Sequence, residues 1–168
     1  MLQPNIVCDK IYNIDPAVLK QMGIKALALD IDNTLTLHDS QQVPEKVALF
    51  LDQMKKQGMG LFLVSNNSYE RVQPYAQNLG LDFVSKAAKP LTFGLSRACR
   101  RFGLGKKEIM LVGDQLFTDI LAAKMFGCPC ALVTPFEIEK QKLLRFKRVL
   151  EKPILRSIHA RKEGGKNG

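Results

Sequence analysis

The sequence has few of the residues that build metal-binding or disulfide-linked scaffolds. Its 168 residues include only two histidines, His38 and His159, and four cysteines. Cys128 and Cys130 are the only close pair, and neither a second pair nor a nearby histidine gives zinc-site spacing. We therefore expect reduced cysteines that act as small hydrophobic residues of the core.

Long hydrophobic runs are also absent. No apolar segment approaches the roughly 20 residues needed to cross a bilayer, and residues 1–5 do not begin a secretory signal. Hydrophobic residues make up 46% of the chain and charged residues 24%, which is typical of an ordinary globular protein. The expectation is a cytoplasmic protein, peripheral on the inner face of the membrane if its basic tail binds there, with one domain and its own core.

Positive charge is concentrated at the C-terminal end. The net charge is +9, and residues 140–168 hold ten of the 25 lysines and arginines but only two acidic residues. A basic amphipathic helix is predicted over 137–160 and a disordered tail over 161–168. The helix can lie on an anionic membrane or pack onto the domain, and both interpretations stay open. Nucleic acid is the less favoured partner, because Phe146 is the tail's only aromatic residue.

Strand and helix signals alternate along the rest of the chain. Strands are predicted at 24–31, 59–64, 82–84, 109–112 and 131–133, and helices at 15–23, 44–57, 68–79, 90–103 and 118–126. Pro74 predicts a kink or an early break in its helix. Continuous apolar strands separated by helices indicate an α/β protein with a Rossmann-like, doubly wound parallel sheet.

Polar residues lie at the carboxyl ends of three of these strands. Asp30 and Asp32 are at the end of the first strand, Ser65 at the end of the second and Asp114 at the end of the fourth. The carboxyl ends of parallel strands share one edge, where ligands bind, so these side chains are expected to gather there. Two carboxylates one residue apart resist burial, and a divalent cation is the expected compensation.

Four short motifs carry a resemblance to one enzyme family. They are Asp30-Ile31-Asp32-Asn33-Thr34-Leu35, Val64-Ser65-Asn66-Asn67, Lys89-Pro90 and Gly113-Asp114-Gln115-Leu116-Phe117-Thr118-Asp119. In this order they resemble the haloacid dehalogenase (HAD) superfamily in its phosphatase form. The second and fourth are similar to those of the YqeG-type phosphatases of the capless subfamily IIIA. A single HAD-like phosphatase domain is therefore predicted over 1–136.

The resemblance implies a role for each motif residue. Asp30 is the nucleophile, whose carboxylate attacks phosphorus and forms an acyl phosphate. Asp32 protonates the leaving oxygen and then deprotonates the attacking water. Ser65 and Lys89 are also catalytic, and with Asn66 they bind the phosphate through hydrogen bonds and positive charge.

Mg²⁺ is the cofactor that the resemblance implies. Asp30 gives one carboxylate oxygen, Asp32 its backbone carbonyl and Asp114 a second carboxylate, while Asp119 binds directly or through water. Two of the site residues also have a simpler interpretation, Ser65 as a helix cap and Asp119 as an acid at a helix N-terminus.

The spacing of the motifs leaves no room for a cap domain. Asp30 and Ser65 are 35 positions apart and Ser65 and Lys89 are 24 apart, and core elements fill both segments. An open site suits a bulky substrate such as a protein, a nucleic-acid end or a lipid headgroup. YqeG-type proteins are related to mitochondrial phosphatidylglycerophosphate phosphatases, so the resemblance implies a lipid phosphate monoester, phosphatidylglycerophosphate, as the leading substrate.

Other functions stay open on the sequence alone. A capless protein or polynucleotide phosphatase would use the same site on a different substrate. A receiver module without turnover also has an acidic cluster, a hydroxyl and a lysine, but its accepting aspartate follows a different strand from its acidic pair. A non-enzymatic protein that binds an anionic surface or nucleic acid through its tail would show steep salt dependence, and its binding would survive Asp30→Asn.

Overall fold

Six parallel strands form one sheet within residues 2–137, the part of the chain that the computed structural model describes. The strands are β1 (Ile6–Cys8), β2 (Ala26–Leu29), β3 (Gly60–Val64), β4 (Asp82–Val84), β5 (Ile109–Gly113) and β6 (Cys130–Val133). Their order across the sheet is β1-β6-β5-β2-β3-β4, and every neighbouring pair is parallel. The predicted Rossmann-like α/β fold with a doubly wound parallel sheet is confirmed.

Helices connect the strands, as the parallel arrangement requires. They are α1 (Pro16–Gln21), α2 (Glu45–Lys56), α3 (Tyr69–Leu79), α4 (Phe93–Phe102) and α5 (Leu121–Phe126), with a 3-10 turn at Ile11–Asn13 and a π-helical segment at Leu116–Ile120. The first α-helix begins as predicted, because the Asp15 carboxylate accepts a 2.8 Å hydrogen bond from the Ala17 N–H and Pro16 fills the first position.

Three details differ from the sequence predictions. β1 was not predicted, because three partly buried residues are too short to show a periodic pattern. The predicted break at Pro74 is wrong, since α3 continues from Tyr69 to Leu79 through that residue. The helix predicted from 118 begins instead with the π-helical segment, and α5 follows it. The predicted helix at 137–160, apart from Glu137, and the tail at 161–168 lie outside the described residues.

The functional edge of the sheet is set by the adjacent strands β2 and β5. All residues of both strands are buried, which explains their continuous apolar sequences. From β2 the chain continues to β3 and β4 on one side, whereas β5 leads to β6 on the other. The carboxyl ends of β2 and β5 therefore form the point where the winding reverses, and ligands bind at such points in α/β sheets.

The chain between the predicted motifs contains only elements of this layered core. The loop after β2, α2 and β3 lie between Asp30 and Ser65, and α3 and β4 lie between Ser65 and Lys89. Leu2–Phe136 forms one compact unit. No helix within residues 2–137 combines the length and the apolar character that crossing a membrane requires.

Candidate active site

A buried lysine joins two aspartates at the carboxyl edge of the sheet. The Lys89 Nζ lies 2.5 Å from Asp30 Oδ1 and 2.7 Å from Asp119 Oδ1. Asp30 directly follows β2, and its N–H donates to the Val112 carbonyl of β5 at 2.9 Å. Residues that are far apart in sequence therefore meet where the strand order reverses, as the sequence predicted.

Asp114 completes a group of three buried carboxylates. One carboxylate oxygen from each of Asp30, Asp114 and Asp119 lies within 4.8 Å of the others. The single ammonium of Lys89 offsets only part of this negative charge in a buried environment. A donor set made only of oxygens and with excess negative charge fits a hard divalent cation such as Mg²⁺. The Asp32 carboxylate belongs to a different group, with His38 and Asp39.

The two charged partners at the centre have shifted pKa values. Burial raises the pKa of Asp30 from its ordinary 3.8 to about 7, against the opposing effect of Lys89 and with a further contribution from Asp119. Burial also lowers the pKa of Lys89, but the carboxylates of Asp119 and Asp30 outweigh it and leave the pKa above its ordinary value. Lys89 is therefore a permanent cation, whereas Asp30 depends on compensation to be ionised.

Asp32 is held by residues to which the sequence analysis gave no role. The Arg71 guanidinium on α3 lies 2.8 Å from Asp32 Oδ1, and the Asp39 N–H donates to the same oxygen at 3.0 Å. The Asn67 side-chain amide donates to the other oxygen, Oδ2. Arg71 also donates to the Ser40 carbonyl at 2.9 Å, which joins the loop after β2 to α3. Asp32 thus has a fixed orientation, and its carboxylate lies outside the buried acidic cluster.

The loop after β3 brings Ser65 and Asn66 to the same edge. The Ser65 oxygen accepts a 3.2 Å hydrogen bond from the Asn67 N–H, so its own hydroxyl proton can still be donated to a phosphate. The interpretation of Ser65 as a helix cap is wrong, because Ser68 occupies the cap position of α3. The Asn66 side chain donates to the Lys89 carbonyl at 3.1 Å and accepts from the Lys89 N–H at 2.6 Å. The Asn66 side chain therefore fixes the loop that carries Lys89.

Asp119 reaches the site because Gly113 has no side chain. A Cβ atom on Gly113 would overlap the Asp119 carboxyl group. The Gln115 N–H donates to Asp119 Oδ2 at 3.1 Å, which holds the carboxylate against the start of the π-helical segment. Short π-helical segments are frequent at functional sites. Gly113, the first residue of the fourth motif, is thus a structural requirement of the site, although the sequence analysis gave it no role.

The fold and the site together define the class of the protein. Residues 37–127, more than half of the chain, match the sequence model of the family described as haloacid dehalogenase-like hydrolase. The chain therefore belongs to the haloacid dehalogenase-like hydrolases, as its motifs predicted.

Similarity to relatives that are named as phosphatases places this chain among the phosphatases of the family. It is 33% identical to the "Probable phosphatase YqeG" of Bacillus subtilis over 92% of this chain and 90% of that protein. It is 26% identical to the "Phosphatidylglycerophosphate phosphatase 1, chloroplastic/mitochondrial" of Arabidopsis thaliana over 91% of this chain, which spans only 47% of that protein. The phosphatase function predicted from the sequence is thereby supported at the level of the family.

A solved structure shows the same fold at low identity. The cobalt-bound deoxy-D-mannose-octulosonate 8-phosphate phosphatase of Haemophilus influenzae superposes with a TM-score of 0.55 at 14% identity. The match covers 67% of this chain and 69% of that one. It bears on the fold alone.

Proposed function

We propose that this phosphatase is a Mg²⁺-dependent phosphomonoesterase that forms a phospho-aspartate at Asp30 and acts on a bulky substrate, with phosphatidylglycerophosphate as the leading candidate. The observation that carries the proposal is the buried contact of Lys89 with Asp30 and Asp119, beside Asp114. Packing alone does not explain this group of buried ionisable side chains, because burying each charge costs free energy unless an opposite charge or a bound ligand compensates it.

The first half of the reaction transfers the phosphoryl group to the enzyme. A carboxylate oxygen of Asp30 attacks phosphorus in line, and the bond from phosphorus to the substrate oxygen breaks. Asp32 donates a proton to that leaving oxygen. Lys89 and the Ser65 hydroxyl stabilise the negative charge on the equatorial oxygens, with backbone N–H groups of the loop after β3.

The second half releases phosphate. Asp32, now a carboxylate, removes a proton from water, whose oxygen attacks phosphorus and breaks the bond to Asp30. Arg71 and Asn67 hold Asp32 in position for both steps. Mg²⁺ bound by Asp30, Asp114, Asp119 and the Asp32 carbonyl would neutralise the acidic cluster and polarise the phosphate.

The lipid substrate is supported by the relatives and by the shape of the site. Two relatives, from Arabidopsis thaliana and Chlamydomonas reinhardtii, are named phosphatidylglycerophosphate phosphatases, each at 26% identity. The described segments between the motifs carry no cap, so a phosphate that projects from a large body can approach. A protein or polynucleotide phosphate is the alternative substrate for the same open edge.

A substrate panel with Asp30→Asn tests the proposal. The wild type should hydrolyse phosphatidylglycerophosphate in vesicles with Mg²⁺ faster than a phosphopeptide, a 5′-phosphorylated oligonucleotide or phosphoglycolate. Asp30→Asn should lose at least 1,000-fold in kcat, on the order of other nucleophile losses, while its far-UV spectrum is unchanged. Asp52→Asn, an exposed carboxylate on α2, is the matched control and should retain activity. Full activity of Asp30→Asn would contradict the mechanism, and exclusive hydrolysis of phosphoglycolate would contradict the bulky substrate.

A further inference from the structure

Exposed apolar side chains are concentrated at the edge of the sheet that holds the active site. Seven large hydrophobic residues are exposed within residues 2–137. Four of them, Leu37, Tyr69, Leu91 and Phe93, follow the predicted catalytic residues along the chain, in loops and first helical turns at the carboxyl ends of the strands. They are between 41% and 58% exposed. We call these four residues the catalytic rim.

A groove of about 930 Å³ begins beside the catalytic rim. Tyr69, Phe83 and Phe93 give it aromatic walls, and Val84 and Ser85 lie in its lining. The Ser65 N–H donates to the Val84 carbonyl at 3.0 Å, so the groove starts next to the loop that carries Ser65. None of the predicted site residues lines the groove, which is therefore additional to the catalytic centre.

Three arginines extend from the catalytic rim along α4. Arg97, Arg100 and Arg101, which we call the α4 arginines, line the groove at four, seven and eight positions after Phe93. This spacing puts them on the same helical face as Phe93, about 6 Å to 12 Å further along the axis. Arg101 pairs with Asp82, whereas Arg97 and Arg100 have no ion pair with any residue from 2 to 137.

We propose that the catalytic rim and the α4 arginines form a docking surface for an anionic lipid bilayer. The apolar side chains enter the interface. The arginines lie further along α4 and attract the anionic headgroups electrostatically, since exposed charges interact over about a Debye length of 8 Å. A phosphate in the membrane plane then meets the edge that carries Asp30. This inference rests on the proposed function for its substrate class, but the surface is defined independently of any catalytic step.

Other occupants fit this surface less well. A single-stranded nucleic acid could use the aromatic walls and the arginines, but it would leave the exposed aliphatic side chains of Leu37 and Leu91 in water, whereas a bilayer covers them. The chain's own segment 140–168 is strongly basic, so the α4 arginines would repel it. A peptide that extends the sheet would pair with β4, which offers only three residues of edge strand. An anionic, partly apolar surface matches both the charge and the hydrophobic character.

A tryptophan reporter tests the position of the membrane. The sequence contains no tryptophan, so Phe93→Trp in the full chain gives a single fluorescent probe that keeps the aromatic character. With vesicles of phosphatidylcholine and phosphatidylglycerol, its emission should shift to the blue and be quenched by brominated lipid. Leu49→Trp, at an exposed site on α2, is the matched control and should not respond. No response of Phe93→Trp would overturn the proposal.

Charge variants test the role of the α4 arginines. Each arginine near an anionic surface is expected to contribute roughly fivefold to binding, so Arg97→Gln with Arg100→Gln should weaken vesicle sedimentation at least tenfold. Lys20→Gln with Lys107→Gln removes the same charge elsewhere on the domain and should change binding by less than threefold. Since all variants keep residues 138–168, any contribution of that segment is common to them. Equal losses for both pairs would overturn the proposal.

The docking surface and the proposed function can fail separately. A response of Phe93→Trp to vesicles without hydrolysis of lipid phosphate would support the surface and contradict the lipid substrate. Hydrolysis of vesicle lipid without that response would contradict the surface alone. A response to a soluble acidic phosphopeptide and not to vesicles would assign the surface to a protein partner and overturn the proposal.

Discussion

At the scale of single residues, the orientation of Asp32 depends on an arginine outside every motif. The Arg71 side chain is mostly buried, lies 2.8 Å from the Asp32 carboxylate and also contacts the Ser40 carbonyl. A general acid and base must keep its geometry through two successive proton transfers, so the loss of this contact should affect the rate of turnover more than substrate binding.

We expect Arg71→Gln to lower kcat by about 10- to 100-fold with a small change in KM, as for displaced catalytic groups. Arg71→Lys keeps the positive charge and should recover only part of the loss, because the flexible lysine side chain does not reproduce the fixed position of the guanidinium nitrogen that contacts both Asp32 and Ser40. Steady-state kinetics on a soluble phosphate ester measure kcat and KM for each protein. Equal kcat values for the wild type and the two variants would show that Asp32 does not need Arg71 to keep its position.

At the scale of elements, the junction of β5 and the π-helical segment places Asp119. Because a Cβ atom on Gly113 would overlap the Asp119 carboxyl group, the strand end and the following turn are packed too closely for any other residue. The same turn binds Asp119 through the Gln115 N–H. A change in Gly113 therefore acts on the acidic cluster without altering any charge.

Gly113→Ala should displace Asp119 and reduce phosphatase activity by at least tenfold, on the order of losses from ångström-scale misplacement. The control is Gly105→Ala, whose added Cβ would lie 3.3 Å from a Glu108 oxygen, in an exposed turn. That variant should remain within about twofold of wild type, because surface changes of this kind are usually small. Activity assays with increasing Mg²⁺ would detect the displacement, and a fully active Gly113→Ala would contradict it.

The sequence was sufficient for the main elements because they have strong local signals. β2 and β5 are continuous apolar strands, and the four motifs follow strand ends in order. Tertiary contacts were not predictable in the same way. The partnership of Arg71 with Asp32 joins α3 to the loop after β2, and no periodicity encodes it. The use of Asn66 to hold Lys89 likewise appears only when two loops meet.

At the scale of the whole molecule, the three buried carboxylates store an electrostatic cost that a divalent cation removes. Mg²⁺ should therefore stabilise the folded protein: saturation at about 100 times Kd corresponds to about 2.7 kcal/mol, or a rise in Tm of roughly 5–10 °C. Asp114→Asn should abolish most of this rise. Asp39→Asn, which changes the separate group of Asp32, His38 and Asp39, should leave the rise in Tm unchanged. The opposite pattern would show that the metal binds to that second group.

The pH dependence of this effect has a definite sign. Since the pKa of Asp30 is raised from 3.8 to about 7, the metal-free folded protein retains a proton that the unfolded chain has lost. Without metal, stability should fall as the pH rises from about 4 to 7 through this group. Mg²⁺ requires the carboxylate, so its affinity should increase over the same range, which calorimetric titration at several pH values would show.

The pairing of β2 with β5 has a consequence for synthesis of the chain. Asp30 is made early and Asp119 almost ninety positions later, yet both contact the same lysine. A ribosome-bound fragment that ends before the π-helical segment lacks part of the acidic cluster. Phosphate release by a translating ribosome complex would therefore begin only after this late segment has left the exit tunnel, so enzymatic competence marks the completion of the sheet's central strands.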